Sequence, residues 1–360
     1  MRSRIILGAL VCAAILAASL LSDAGPRTVA SNDAPYTAQA LPIGSQTYLP
    51  VIIGGSSDCA AIQQAIDSLP ATGGQIIVAS GTYTCTTAIV VDRDNVDLRG
   101  QGPATVLRLA DNVNSPVLVL GRTTTPPGVT RSHIRVANLA IDGNRASQTM
   151  ECWGGPCDTG GLTFIRNNGV TLRRVSDVQI ESVITHHARS GGLVVEKGSR
   201  RVTVRDFTSF DNTFDGLAAY ETEDSLLTGL HLYNNPYAGL SLDIRFNNNI
   251  VSDAVLTGNG KQGIFMRDSR DNLFHGIQIR NSGEQGVFLA QVDADPATPA
   301  AGNTFVGLTV SGSASAGFRV NNPSCVDNSL SSSQFIGNAG GCVSDATLGQ
   351  LHVFGNLCRP

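Results

Sequence analysis

Between residues 190 and 345 the chain repeats one short pattern, a glycine followed by four residues with apolar side chains in the first and third places. The segments are Leu193-Val-Val-Glu, Leu217-Ala-Ala-Tyr, Leu240-Ser-Leu-Asp, Ile264-Phe-Met-Arg and Val287-Phe-Leu-Ala. Alternation of this kind marks a strand with one face turned to a core. The preceding glycines, Gly192, Gly216, Gly239, Gly263 and Gly286, recur about every 23–24 residues, within the range of stacked repeat units. The step to Gly317 is longer, as though one turn near Asp293 to Ala301 carried an excursion of roughly eight residues, and Gly340 resumes the period. Short strands repeated in this way predict a solenoid, whose coils bury a core only by stacking. Asn249, Asn272 and Asn303 precede Gly263, Gly286 and Gly317 by one constant interval, and Asn328 falls close to the same place. They predict an asparagine ladder between coils about 4.8 Å apart. A leucine-rich horseshoe would need a fixed leucine pattern and helices, which are absent.

Upstream the pattern changes. Ser56, Ser57 and Asp58 offer N-caps for an amphipathic helix from Cys59 to Leu69, with Ile62, Ala65, Ile66 and Leu69 on one face and Pro70 ending it. Short strand-like runs follow at Gln75, Gly81, Ala88 and Val96. Residues 1–24 read as an export signal: Arg2 and Arg4 precede an apolar run from Ile5 to Leu21, with cleavage near Ala24 or Ala30. Cys12 offers a lipoprotein alternative, which Val11 before it disfavours. Residues 25–50 are small, polar and proline-containing, as a flexible tether would be, and 51–360 form the repeat domain.

Composition sharpens this picture. The chain has 360 residues with 39 glycines and 5% aromatic residues, so its core is built from small and β-branched side chains. A formal net charge of -4, with Lys and Arg scattered, gives no field for nucleic acid. After signal removal no membrane partner is expected, and the chain is expected to be a monomer outside the cytoplasm. Seven cysteines then remain. In an oxidising compartment Cys59 with Cys85, Cys152 with Cys157, and two of Cys325, Cys342 and Cys358 are candidate disulfides.

The stretch from Cys59-Ala-Ala-Ile through Gly73-Gly74-Gln-Ile-Ile-Val, Gly81-Thr-Tyr and Leu98-Arg-Gly-Gln-Gly resembles the N-terminal cap and first coils of the pectate-lyase-like superfamily. The repeats from Gly192 to about Val353 resemble those of carbohydrate-binding and sugar-hydrolase β-helices, mannuronan C5-epimerases included. The resemblance implies an all-β, single-stranded right-handed parallel β-helix with a short N-terminal capping helix, and a polysaccharide substrate or ligand. The Asp-Pro-His-Asp motif of mannuronan epimerases is missing.

If positions one and three face the core, positions two and four face outward. Position four reads Glu196, Tyr220, Asp243, Arg267 and Ala290; position two reads Val194, Ala218, Ser241, Phe265 and Phe288. A titratable column beside an aromatic one suits a glycan groove, with Phe265 and Phe288 as its platform. Two mechanisms follow. Glu196 and Asp243, about 9.6 Å apart along the axis, suit an inverting hydrolase, with Tyr220 orienting the substrate. Alternatively Arg267 neutralises a uronate carboxylate and Tyr220 acts as acid or base in β-elimination or epimerisation. The bland reading is a solvated ladder, with Asp243 and Arg267 as an exposed ion pair worth about 0–1 kcal/mol.

Lys197, Arg245 and Asp268 at the next turn, and Trp153 in the loop 143–160, are candidate substrate contacts, and both long loops are expected to wall the groove. His186 and His187 are adjacent, so alternation turns at most one outward, and no zinc motif accompanies them. No metal site is assigned. The sequence requires no cofactor and contains no calcium loop, although turn carboxylates leave calcium open. The expectation is a secreted polysaccharide-active enzyme, lyase or hydrolase; the competing class is a non-catalytic β-helix that binds glycan or serves as an adhesin or envelope component.

Overall fold

The computed structural model describes residues 42–43, 47–48, 51–54, 57–152, 165–293 and 298–359. Successive coils stack as a right-handed parallel β-helix, each coil adding one short strand to each of three parallel ladders. The first ladder contains Leu193–Glu196, Leu217–Tyr220, Leu240–Asn247, Ile264–Arg270 and Val287–Ala290, paired in that order. The repeated alternation is realised in it: Leu193, Val195, Leu217, Ala219, Leu240, Leu242, Ile264, Met266, Val287 and Leu289 are all fully buried.

The glycine before each strand is dictated by the next coil. A Cβ on Gly192 would stand 1.9 Å from Ser209 Oγ, and one on Gly286 would stand 2.2 Å from Val310 Cγ1. No other residue fits that approach. The last glycine of the series is displaced: Phe318 pairs with Val343, so Cys342, not Gly340, occupies the repeat position. Counted from Cys342, Asn328 keeps the same upstream interval as the other asparagines and is in phase with them.

The asparagine ladder forms as expected. The Nδ2 of Asn249, Asn272 and Asn303 donates to the Oδ1 of the next asparagine at 3.2, 2.8 and 3.0 Å. All four side chains are buried. A second ladder, not anticipated, joins Asn212, Asn235 and Asn259 at 3.0 and 3.1 Å. Next to the first asparagine ladder in sequence, Phe274 and Phe305 stack at 4.6 Å in the core.

The predicted cap is helix α1, Cys59–Ser68, with Ile62, Ala65 and Ile66 buried. Asp58 caps its start by accepting from Ala60 N–H at 2.8 Å. The guanidinium of Arg93 closes its end by donating to the carbonyls of Ile66, Leu69 and Pro70. Disulfides Cys59–Cys85 and Cys342–Cys358 clamp the two ends, and Cys325 is the buried free thiol among the described residues. Cys152 is disulfide-bonded, while Cys157, its expected partner, lies outside the described residues. The export signal also lies outside them; of the tether, Pro42–Ile43 and Thr47–Tyr48 are described and pair antiparallel. No helix among the described residues is long and apolar enough to cross a membrane.

Candidate active site

A cavity of about 560 Å³ opens on the outer face of the first ladder. Its floor is low because Val194, Ala218 and Ser241 are small at the second strand position, and it ends where Phe265 rises from the same column. Phe265 stacks on Phe288 at 5.7 Å with 9° between the rings, so the aromatic pair forms an end wall and its buttress.

The position-four residues meet here. Glu196, Tyr220, Asp243 and Arg267 all line the cavity, with Tyr220 directly opposite Asp243 and Asp243 opposite Arg267. The outward face is only partly open to solvent: Val194, Ala218, Ser241 and Asp243 are buried beneath a rim formed by the turns before each strand, while Glu196, Tyr220, Phe265 and Arg267 are half-buried. Asp243 and Arg267 are therefore not the exposed pair of the bland reading. Arg267 donates to Asp243 Oδ2 through Nε at 3.2 Å and Nη2 at 2.5 Å, and the Asp243 side chain is only 7% exposed. Arg267, 37% exposed, also lies over the Phe265 ring, 5.1 Å from its centre.

Among the described residues the rim does not come from the two long loops. One side is a stack that the sequence reading missed: Arg166 over Phe214 at 5.3 Å, Phe214 against Tyr237 at 4.1 Å, and Lys261 over Tyr237 at 5.5 Å. Lys261 also pairs with Glu284 at 3.0 Å. The aromatics sit at turn positions, where the coil period repeats them once per coil but strand alternation says nothing about them.

Two buried charges were also missed. Arg173, one coil before Glu196 in the same column, is fully buried with its Nε 3.1 Å from Glu196 Oε1. Asp215, immediately before a repeat glycine, accepts from Ala238 N–H at 2.9 Å through Oδ1, while buried Oδ2 has no hydrogen-bond partner. Burial pushes the Asp215 carboxyl up to about 7, against the Ala238 hydrogen bond and Arg166, and neighbouring Asp243 adds to the rise. Burial and Asp215 likewise push the Tyr220 hydroxyl well above its ordinary range. Asp243 is raised by burial, against the pull of Arg267.

Immediately after Asp243 the strand bulges, its register shifting between Asp243 and Phe246. Ile244 takes φ 53° and Arg245 φ 61°. A left-handed β-branched residue is strained, and bulges of this kind re-aim side chains beside active sites. The bulge lets Ile244 N–H donate to Asp243 Oδ1 at 2.9 Å. It also turns Arg245 away from the cavity to pair with Glu221 at 2.9 Å. Lys197 and Asp268 occupy matching left-handed turns, and neither lines the cavity. Trp153 lies outside the described residues.

The fold and the walled groove define a right-handed parallel β-helix with an outer cavity whose mainly apolar walls carry a few charged groups. Residues 154–297 match the family described as "Right handed beta helix region". The chain is 26% identical over 234 residues to mannuronan C5-epimerase AlgE2 of Azotobacter vinelandii, covering 63% of this chain and 22% of that protein. It is 29% identical over 199 residues to AlgE4 of the same organism, covering 52% of this chain and 34% of the other. The chain thus matches about a fifth to a third of the length of these relatives.

In structure it is similar to the A-module of A. vinelandii epimerase AlgE6, with TM-score 0.53 and 21% identity over 85% of this chain and 96% of the other. It is also similar to endo-xylogalacturonan hydrolase of Aspergillus tubingensis, with TM-score 0.58 and 16% identity over 83% and 93%. Pectate lyase Pel9A gives TM-score 0.56 and 13% identity over 80% and 71%. By their names these proteins are polysaccharide-active enzymes.

Proposed function

We propose that this chain is a secreted enzyme acting on an acidic polysaccharide, by proton removal beside a uronate carboxylate. The observation that carries the reading is one cavity in which Tyr220 and Asp243 lie side by side on neighbouring strands with Arg267 next in the same column, under a rim carrying Arg166 and Lys261. Cationic groups at a water-poor site lower the cost of charge developing on a uronate as its C5 proton leaves. Arg267 is exposed enough to reach a substrate carboxylate while still holding Asp243.

Asp243 is the base in this reading, since burial strengthens it and Ile244 and Arg267 fix its direction. Tyr220, held as a neutral phenol, is the proton donor. In β-elimination it protonates the departing O4 as the C4–O4 bond breaks and C4=C5 forms; in epimerisation it returns a proton to C5 from the opposite face. Asp215 acts through Tyr220, whose proton affinity it raises together with burial. The rim aromatics and Phe265 supply apolar surface for sugar faces. The inverting-hydrolase pair is less well supported, because Glu196 is compensated by buried Arg173.

The test is incubation of purified protein with polymannuronate, mixed alginate, polygalacturonate and neutral xylan, with and without calcium. Absorbance near 235 nm, new reducing ends and NMR of C5 configuration are followed. Unsaturated or epimerised uronate, lost in Tyr220→Phe and Asp243→Asn, is the expected result. Reducing ends without unsaturation would replace this reading with hydrolysis. Binding without any product would assign a glycan-binding module.

A further inference from the structure

On the third ladder, away from the cavity, Asp142 ends the strand Ile134–Asp142 and pairs in register with His186, which ends Val175–His186. Strict alternation would send His187 to the opposite side. Instead His187 takes φ 51°, and its ring swings round beside that of His186. The two Nδ1 atoms lie 2.9 Å apart, and Asp142 Oδ1 lies 3.9 and 3.8 Å from them.

We propose that Asp142, His186 and His187 form a site for one divalent first-row transition ion, of the zinc class, joining two consecutive coils. Two imidazole nitrogens and a carboxylate oxygen are the donor set that favours zinc, cobalt, nickel or copper over calcium or magnesium. Ligand atoms about 2.0–2.2 Å from a tetrahedral ion stand about 3.3 Å from one another, so sub-ångström shifts of these three atoms suffice.

The surroundings hold the donors in place. The His186 and His187 carbonyls accept from Gly143 and Arg145 N–H at 3.0 and 2.8 Å, and Ala188 N–H is held by Asn212 at 3.0 Å. Gly143 is required there, since a Cβ would stand 2.4 Å from Ala188 Cα. Asn144 N–H donates to Asp142 Oδ1 at 2.9 Å, and Arg108 draws Oδ2 outward at 3.6 Å, leaving Oδ1 toward the imidazoles. Behind the site the His186 ring stacks on Phe210 at 5.2 Å, which fixes its plane. The His187 side chain is 44% exposed, which gives an ion entry and leaves its remaining coordination to solvent.

The test uses tag-free, chelator-treated protein titrated with Co2+ and Zn2+. We expect one equivalent of Co2+ to give visible d–d absorption of a nitrogen-bearing low-coordinate site, displaced by Zn2+ and not by excess Ca2+. Binding the folded state alone, zinc should also raise the unfolding temperature. His187→Ala and Asp142→Asn should each weaken zinc by at least about 10-fold, with circular dichroism unchanged. Absence of stoichiometric binding to the unmodified protein, or affinity unaltered in a folded His187→Ala variant, would overturn the proposal. Polysaccharide turnover is read separately, so failure here leaves the cavity assignment standing.

Discussion

At the residue scale, Asp215 is a carboxyl enclosed by protein, with one oxygen bonded to Ala238 N–H and the other unpartnered. The folded chain keeps this proton up to about pH 7, whereas an unfolded chain releases it near pH 4. Between those values the folded state binds more protons, so stability declines as pH rises through the window. Asp215→Asn is expected to flatten that decline in urea unfolding followed from about pH 4 to 7. It should also remove an inflection near 7 from the activity profile, while Asp243→Asn abolishes turnover at every pH, by about 10²-fold or more. Arg173 poses the opposite case. Arg173→Ala leaves the Glu196 charge without its buried counter-ion and should cost about 3 kcal/mol in denaturant unfolding, because removing one partner strands the other.

At the scale of the element, the strands are short and their register is held by the asparagines between them. Asn272 donates through Nδ2 to Phe246 O and Asn303 Oδ1, and its own Oδ1 accepts from Asn249 N–H and Nδ2. Asn272→Ala removes all four bonds inside the coil stack and should destabilise by about 2–4 kcal/mol in equilibrium unfolding. The expected signature is local: hydrogen exchange should accelerate in the strands flanking residue 272 before those of the capping helix. The alternation that places Leu240 and Leu242 inside was readable from the chain. The bulge after Asp243 was not, because a left-handed isoleucine runs against its local preference and is imposed by pairing with neighbouring coils.

At the scale of the molecule, a solenoid shares its stability between nearest neighbours and its ends are the weak points. Helix α1 with Cys59–Cys85 covers one end, and Cys342–Cys358 closes the other. Replacing Cys342 and Cys358 by serine opens a loop whose ends are 16 apart in sequence and should cost about 3 kcal/mol. Limited proteolysis should then cut the last coils first, with turnover at the cavity, several coils away, unchanged. Disulfides at both ends are of the kind that persists in an oxidising compartment.

While the structure chose Cys342 and Cys358 from the last three cysteines, the sequence by itself determined the period, the core positions, the capping helix, the Cys59–Cys85 pairing and the first asparagine ladder. These follow from side-chain alternation and from contacts repeated between adjacent coils, which a linear pattern records. It also put Tyr220, Asp243, Arg267 and Glu196 in one outward column. Tertiary structure alone decided that this column lines a walled cavity with Asp243 buried in it, since the rim is built from turns whose height no alternation rule predicts. It decided that Asp215 joins the site and that buried Arg173 backs Glu196, that Arg245 leaves it, and that His187 turns to meet His186 and Asp142. Each depends on a left-handed backbone or on burial by residues a coil away, and both are settled only when the coils are stacked.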